Sequence, residues 1–204
     1  RWYSFCYTHW FNLFKICNLN MKKIISILGS TGSIGKSTVE IILKNKKKFE
    51  VFLLVANNDY LNLYKQAIKT NARFVYLANI EKSKLLKKKL SKNRNIKVIK
   101  NFKELEKVFT KKNDLLVSGI SGLNGLEYNL KLISKTKKIL IANKESIICG
   151  WNLIKKELIK NNTKLEPIDS EHFAIAQLVK MIDQKFIKYV YITASGGPFL
   201  KKNI

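Results

Sequence analysis

The sequence predicts an α/β fold: a doubly wound parallel sheet, followed by the start of a second α/β unit. Three observations predict it. Short β-branched runs alternate with lysine-rich amphipathic segments along most of the chain. The runs are almost continuously apolar, as strands buried on both faces are, and such strands belong to parallel sheets covered by helices. A glycine-rich turn joins the first run to the first helical segment, where an α/β fold places its tightest connection.

Taken in order, residues 1–20 (RWYSFCYTHWFNLFKICNLN) stand apart, dense in aromatics and without a clean period. His9, Asn12 and Lys15 interrupt any apolar centre, so a signal peptide is not predicted. Met21 opens MKKIISIL, a natural start, and the twenty residues before it are expected to be a non-native or unstructured extension. The predicted strands are Ile24–Leu28, Val51–Ala56, Phe74–Leu77, Ile96–Ile99, Leu115–Ser118 and Ile139–Ala142. Helices are predicted between them at Ile34–Lys46, Asp59–Thr70, Glu81–Lys92, Phe102–Thr110 and Asn124–Ser134. A longer helix at Glu145–Asn161 leads out of the alternation toward Leu165–Ser170, a helix at Glu171–Asp183 and a strand at Tyr189–Thr193. That change predicts a boundary near residue 150, with one domain over 21–150 and a second beginning at 151–204.

Composition excludes several classes. The chain has 204 residues, 46% hydrophobic and 26% charged, which is globular rather than disordered. No apolar stretch approaches the roughly 20 residues of a membrane-spanning helix. Three cysteines without a CxxC pair exclude a disulfide framework and a cysteine zinc site. A net charge of +25 suggests a polyanion partner, but only Arg1, Arg73 and Arg94 are arginines. Arginine supplies the planar fork that clamps phosphates and reads base edges, so specific nucleic-acid binding is not expected. Lysines spread over solvated helix faces account for the charge.

The glycine turn reads Gly29-Ser30-Thr31-Gly32-Ser33-Ile34-Gly35-Lys36-Ser37. Glycines there let a phosphate approach backbone N–H groups at a helix N-terminus. A P-loop would need glycine at position 30, where Ser30 stands, so a dinucleotide site with glycines three apart is the better reading. The second strand ends in Ala56-Asn57-Asn58-Asp59; two amides favour a phosphorylated ribose, while Asp59 points the other way.

Asp169-Ser170-Glu171-His172 follows a strand-like LEPI and precedes a helix. Two carboxylates so close can face one hard divalent ion. The same tetrapeptide is also an ordinary helix N-cap, with Asp169 or Ser170 capping and Glu171 answering the dipole.

Together, GSTGSIG at 29–35, ANKES at 142–146, PIDSEH at 167–172 and SGGPF at 195–199, in that order over essentially all of 21–204, resemble the 1-deoxy-D-xylulose 5-phosphate reductoisomerase family. The resemblance implies a Rossmann-like NADPH domain followed by a metal- and substrate-binding catalytic domain. It implies cofactor contacts at Thr31, Gly32, Ser33, Ile34, Asn143 and Glu145, and metal ligation by Asp169 and Glu171, with Mn²⁺ or Mg²⁺ as the ion. Substrate contacts are implied at Lys144, Ser170, Glu171 and Ser195, with Lys144 and Glu171 catalytic. The implied reaction rearranges and reduces 1-deoxy-D-xylulose 5-phosphate to 2-C-methyl-D-erythritol 4-phosphate, for isoprenoid biosynthesis in a bacterial cytoplasm. A small phosphorylated sugar is the expected substrate, and a homodimer the expected state at full length. Asp59 departs from the asparagine common in the family's second-strand loop. The family continues past the position of Ile204, so a third metal carboxylate is expected beyond it, and the 204 residues alone are expected to be inactive.

Overall fold

The computed structural model describes residues 21–191. The extension at 1–20, the end of the strand expected at Tyr189–Thr193, and Ser195 lie outside them, as do the side chains of Ser170, Glu171 and Gln184.

Seven strands form one sheet in which neighbours run parallel: β1 (Lys23–Leu28), β2 (Phe49–Ala56), β3 (Phe74–Leu77), β4 (Lys97–Val98), β5 (Asn113–Ser118), β6 (Thr136–Ile141) and β7 (Lys164–Pro167). Their spatial order is β4-β3-β2-β1-β5-β6-β7. The chain winds outward from β1 to β4, crosses back to β5, and winds outward the other way. The switch therefore lies between β1 and β5, where such sheets open a crevice at their strand C-termini.

Helices α1 (Ser33–Lys44), α2 (Tyr60–Thr70) and α3 (Ile80–Leu90) cover one face, and α4 (Asn124–Ile133) and α5 (Lys144–Asn161) the other; α6 (Ser170–Met181) follows β7. Alternation along the strands, broken once in β2 where the register against β1 skips Phe52, divides the core. Ile25, Ile27, Val51, Leu54 and Val117 pack with Val39, Ile42, Leu63 and Leu86 beneath α1–α3. Leu53, Val55, Leu116, Ile139 and Ile141 pack with Leu132, Ile133, Ile154 and Leu158 beneath α4 and α5. Both faces being buried, the strands read as continuous apolar runs.

Two segments depart from the sequence reading. The helix expected at Phe102–Thr110 is instead a 3-10 turn at Phe102–Glu104 followed by further turns. Successive i→i+3 bonds, Leu105 to Phe102 and Lys107 to Glu104 among them, let Phe102 pack on Tyr128 at 4.6 Å and Phe109 on Phe52 at 4.8 Å. A helix as short as the expected one is marginal in isolation, so the packing of its aromatics decides its form. In the second, β7, expected outside the alternation, joins this sheet and pairs Leu165 with Ile139, after α5 has run through residue 150 as its expected range does. Glu166 fastens that edge, 2.9 Å from Lys138 of β6 and 3.2 Å from Lys180 of α6. Tyr189–Tyr191 carry no strand. Among the described residues, no helix is long and apolar enough to cross a membrane.

Candidate functional site

The turn after β1 is held by its backbone. Gly29 and Ser30 donate to the Val55 carbonyl at 2.9 and 2.8 Å, and Gly32 donates to the Gly29 carbonyl at 3.0 Å. Gly29 has φ +76, and a Cβ on it would stand 2.8 Å from the Gly119 carbonyl oxygen of the neighbouring turn. Any other residue there is strained and blocks the two switch-point turns from meeting. Gly35 presses α1 onto the turn, where a Cβ would collide with the Gly29 carbonyl and the Ser30 backbone.

The N-terminus of α1 is left open. Its N-cap is Gly32, which provides no side-chain acceptor, whereas Asp59, Asn79, Asn143 and Asp169 cap α2, α3, α5 and α6 with side-chain oxygens. The first i→i−4 bond of α1 runs from Lys36 to the Gly32 carbonyl. The amides of Ser33, Ile34 and Gly35 precede it and have no acceptor within the helix, so the helix end presents N–H groups and a partial positive charge to an anion.

Asn143 organises the opposite wall. It is buried, accepts from the Ser146 amide at 2.9 Å, and donates through Nδ2 to the carbonyls of Ile120 and Gly122 at 2.6 and 2.7 Å. One side chain thus caps α5 and fixes the β5–α4 turn. Lys144 and Glu145, the first residues of α5, are exposed beside it. Asp169 caps α6: its Oδ1 accepts from the His172 amide at 3.0 Å and lies 2.7 Å from His172 Nδ1.

Ile34, Asn143, Lys144, Glu145 and Asp169 line one cleft of about 200 Å³, closed by the 119–121 turn and Ala142. Three motifs far apart in the chain therefore meet at the strand C-termini. Thr31, Gly32 and Ser33 continue the glycine turn beside Ile34, with Gly32 and Ser33 exposed. Ser170 and Glu171 open α6 next to Asp169. Two larger hollows, about 460 Å³ by Phe102 and Leu153 and about 550 Å³ by Tyr64 and Arg94, hold none of the expected site residues, so size does not select the site.

The sequence reading missed the Ser118-Gly119-Ile120-Ser121-Gly122 turn, although it follows β5 as the glycine turn follows β1; glycine turns after the two central strands were the available signal. Asp59, ambiguous in sequence, is a cap, accepting from the amide and side chain of Asn62 at 3.0 and 2.6 Å. Burial raises its pKa, but those bonds, with Lys36 and Lys65 nearby, outweigh it and hold the carboxyl below its ordinary value. For the metal, no group of three or more His, Cys, Asp or Glu gathers among the described residues, where Asp169 is the one expected ligand with a described side chain.

A parallel sheet that reverses its winding beside an uncapped, glycine-cornered helix defines the class as a Rossmann-like α/β fold with its cleft at the switch point. Comparison with known proteins narrows it. The family model described as 1-deoxy-D-xylulose 5-phosphate reductoisomerase matches residues 25–150, and that of the same enzyme's C-terminal domain matches 165–204. The chain belongs to the 1-deoxy-D-xylulose 5-phosphate reductoisomerase family. It is 48% identical over 181 residues to the enzyme of that name from Pelagibacter ubique, covering 88% of this chain and 46% of the relative. It is 43% identical over 185 residues to that of Wolbachia pipientis from Culex pipiens, covering 90% and 46%. The chain thus spans about half the length of these curated relatives. Among solved structures, the Zymomonas mobilis reductoisomerase in complex with NADPH matches at TM-score 0.82 and 32% identity, over 90% of this chain and 48% of that one. A reductoisomerase in complex with magnesium matches at TM-score 0.79 and 28% identity, with the same coverage.

Proposed function

We propose that this chain is the cofactor-binding part of an NADPH-dependent reductoisomerase that converts 1-deoxy-D-xylulose 5-phosphate to 2-C-methyl-D-erythritol 4-phosphate. One observation carries the reading: the open N-terminus of α1 and the ANKES and PIDSEH motifs converge on one cleft at the switch point. The donors fit the cofactor. The amides after Gly32 suit phosphates, and the glycines leave the approach clear. When bound, NADPH supplies the hydride and a divalent ion supplies Lewis acidity.

The chain's own residues have distinct tasks in this reading. Thr31, Gly32, Ser33 and Ile34 hold the cofactor phosphates, with Asn143 and Glu145 forming the facing wall. Lys144 brings an exposed ammonium to the cleft, suited to a substrate oxyanion. Asp169 provides a carboxylate at the cleft, and Glu171, Ser170 and Ser195 join it in binding metal and substrate. The metal, Mg²⁺ or Mn²⁺, is supported by magnesium in related structures, one of which also carries NADPH and fosmidomycin. Separate family models over 25–150 and 165–204 support a cofactor domain at 21–150 and the beginning of a catalytic domain at 151–204, whose first strand, β7, adds to the edge of the cofactor domain's sheet. A homodimer at the relatives' full length and a bacterial cytoplasmic setting complete the proposal.

Nucleotide binding tests it. Titrating NADPH, NADH and Mg-ATP separately into the chain, followed by fluorescence, should give saturable NADPH binding, weaker NADH binding and none with ATP. Binding of ATP without NADPH would refute the reading.

A further inference from the structure

We propose that Gln66 is a positioning residue for the cofactor's pyrophosphate, setting the direction of the Thr31 amide; this rests on the NADPH reading above. Gln66 lies on α2, 8% exposed, and its Nε2 donates to the Ser30 carbonyl at 2.8 Å, thirty-six residues away in the chain. The Ser30–Thr31 peptide is trans, so its N–H points opposite to its C=O. Drawing the Ser30 carbonyl inward to Gln66 turns the Thr31 amide outward, toward the side where Gly32 and Ser33 are exposed. No backbone acceptor for that amide is found among the described residues.

The pairing is costly to keep. Gln66 Oε1 and Ser30 Oγ are both buried without a hydrogen-bond partner. An aliphatic side chain of similar size would remove the unpaired Oε1, and the glutamine's one contribution that such a chain lacks is the bond to the Ser30 carbonyl. The plane of the Ser30–Thr31 peptide turns on ψ of Ser30 and φ of Thr31. Among the described residues no backbone bond is made to the Ser30 carbonyl or from the Thr31 amide, so the Gln66 bond is the one that orients it. Gln66 therefore supplies by a side chain the orientation that the turn's own backbone bonds, from the Gly29, Ser30 and Gly32 amides, do not give this peptide.

The test is Gln66→Leu in the 204-residue chain, with NADPH affinity by fluorescence, 2′-AMP affinity by NMR, and thermal melting. 2′-AMP carries the 2′-phosphate without a pyrophosphate. The expected result is NADPH binding about tenfold weaker, equivalent to about 1.4 kcal/mol, with 2′-AMP binding unchanged. Unchanged NADPH affinity overturns the proposal, and so does an equal loss for both ligands, which would mean that α2 has simply loosened. If the variant does not fold, the unaltered chain decides: the Thr31 amide resonance should move downfield when NADP⁺ saturates the site, and a resonance that stays in place overturns the proposal. Failure of the unaltered chain to bind any NADP(H) is a different result. It refutes the reading of the site itself and takes this proposal with it.

Discussion

Replacing Gly35 and Gly150 each by alanine makes one substitution in two helices, costly in the first and near neutral in the second. Helix propensity alone favours alanine by up to about 1 kcal/mol at either site. At Gly35 the new methyl would run into the Gly29 carbonyl and the Ser30 backbone, atoms fixed by the bonds of Gly29 and Ser30 to Val55. Overpacking against a fixed backbone costs about 3 kcal/mol, at the upper end of such changes, because no rotamer change relieves it. The net loss is about 2 kcal/mol, or about 4–8 °C in melting temperature for a chain of this size. At Gly150 the atoms nearest the methyl all belong to the Leu126 side chain, whose terminal carbons can rotate away. Propensity then offsets most of the packing cost, and the net change stays within about 0.5 kcal/mol. Urea titration followed by circular dichroism measures both. Gly35→Ala as stable as the parent, or Gly150→Ala as damaged as Gly35→Ala, would refute the reasoning that the fixity of the neighbour decides the outcome. Gly35→Ala should also weaken NADPH binding, since the turn that yields is the one proposed to hold the phosphates.

Asn143→Ala removes a cap worth about 1 kcal/mol and the donors to two turn carbonyls at about 1 each, so urea titration should show a loss of about 2–3 kcal/mol. Asn143→Asp, which keeps the cap but sets a carboxylate against the carbonyls of Ile120 and Gly122, should not restore it. Asp169→Asn keeps an equally good cap, so melting should change by no more than about 2 °C, while Mn²⁺ affinity measured by calorimetry should fall; unchanged Mn²⁺ affinity would restrict Asp169 to capping. Burial raises the Glu166 pKa, but Lys138 and Lys180 outweigh it and hold it below the ordinary value of 4.5. A depressed folded-state pKa stabilises fully above the unfolded value and is lost as pH falls through the folded one. The stability difference between the parent and Glu166→Gln should therefore be present at pH 7 and close below about pH 4.5 in a series of urea titrations.

The sheet is legible in the sequence because its strands carry their surroundings in their composition. FLLVA at 52–56 and LLVS at 115–118 have no polar face to alternate with, and only a doubly covered sheet buries them. The edges are less legible for the same reason. β4 and β7 have partly exposed residues, Lys97 and Lys164 among them, and weaker apolar runs. Their composition therefore overstates the length of β4 and does not assign β7 to this sheet. Helix caps mark boundaries well: Asp59, Asn79 and Asn143 each stand immediately before an observed helix. Phe102–Glu104 begins with the same signal, Asn101 accepting from the Glu104 amide, yet the segment does not continue as a helix. A cap begins a turn, but the path beyond it depends on where Phe102 and Phe109 find partners, and those lie on α4 and β2.

The site shows why a local reading and a functional one need not compete. In sequence, Asp169 reads as a helix cap or as a metal ligand, and the structure makes both Asp169 and Asn143 caps that line the cleft. A helix N-terminus at the C-terminal end of a parallel strand already faces the crevice, so the residue that caps it stands at the crevice wall. Capping then fixes where the next side chains begin: Asn143 sets Lys144 and Glu145 at the mouth of the cleft, and Asp169 sets the start of α6. Neither α1 nor α4 has a capping side chain, but the Gly125 and Leu126 amides of α4 bond back to the Gly122 and Leu123 carbonyls, whereas the first amides of α1 meet no such acceptor. Among the described residues α1 is the cleft-lining helix whose end remains available to an anion. Three helix ends meet there, two closed by their own side chains and one open, and that difference assigns the phosphate end of the cleft to the glycine turn and the polar chemistry to the capped ends.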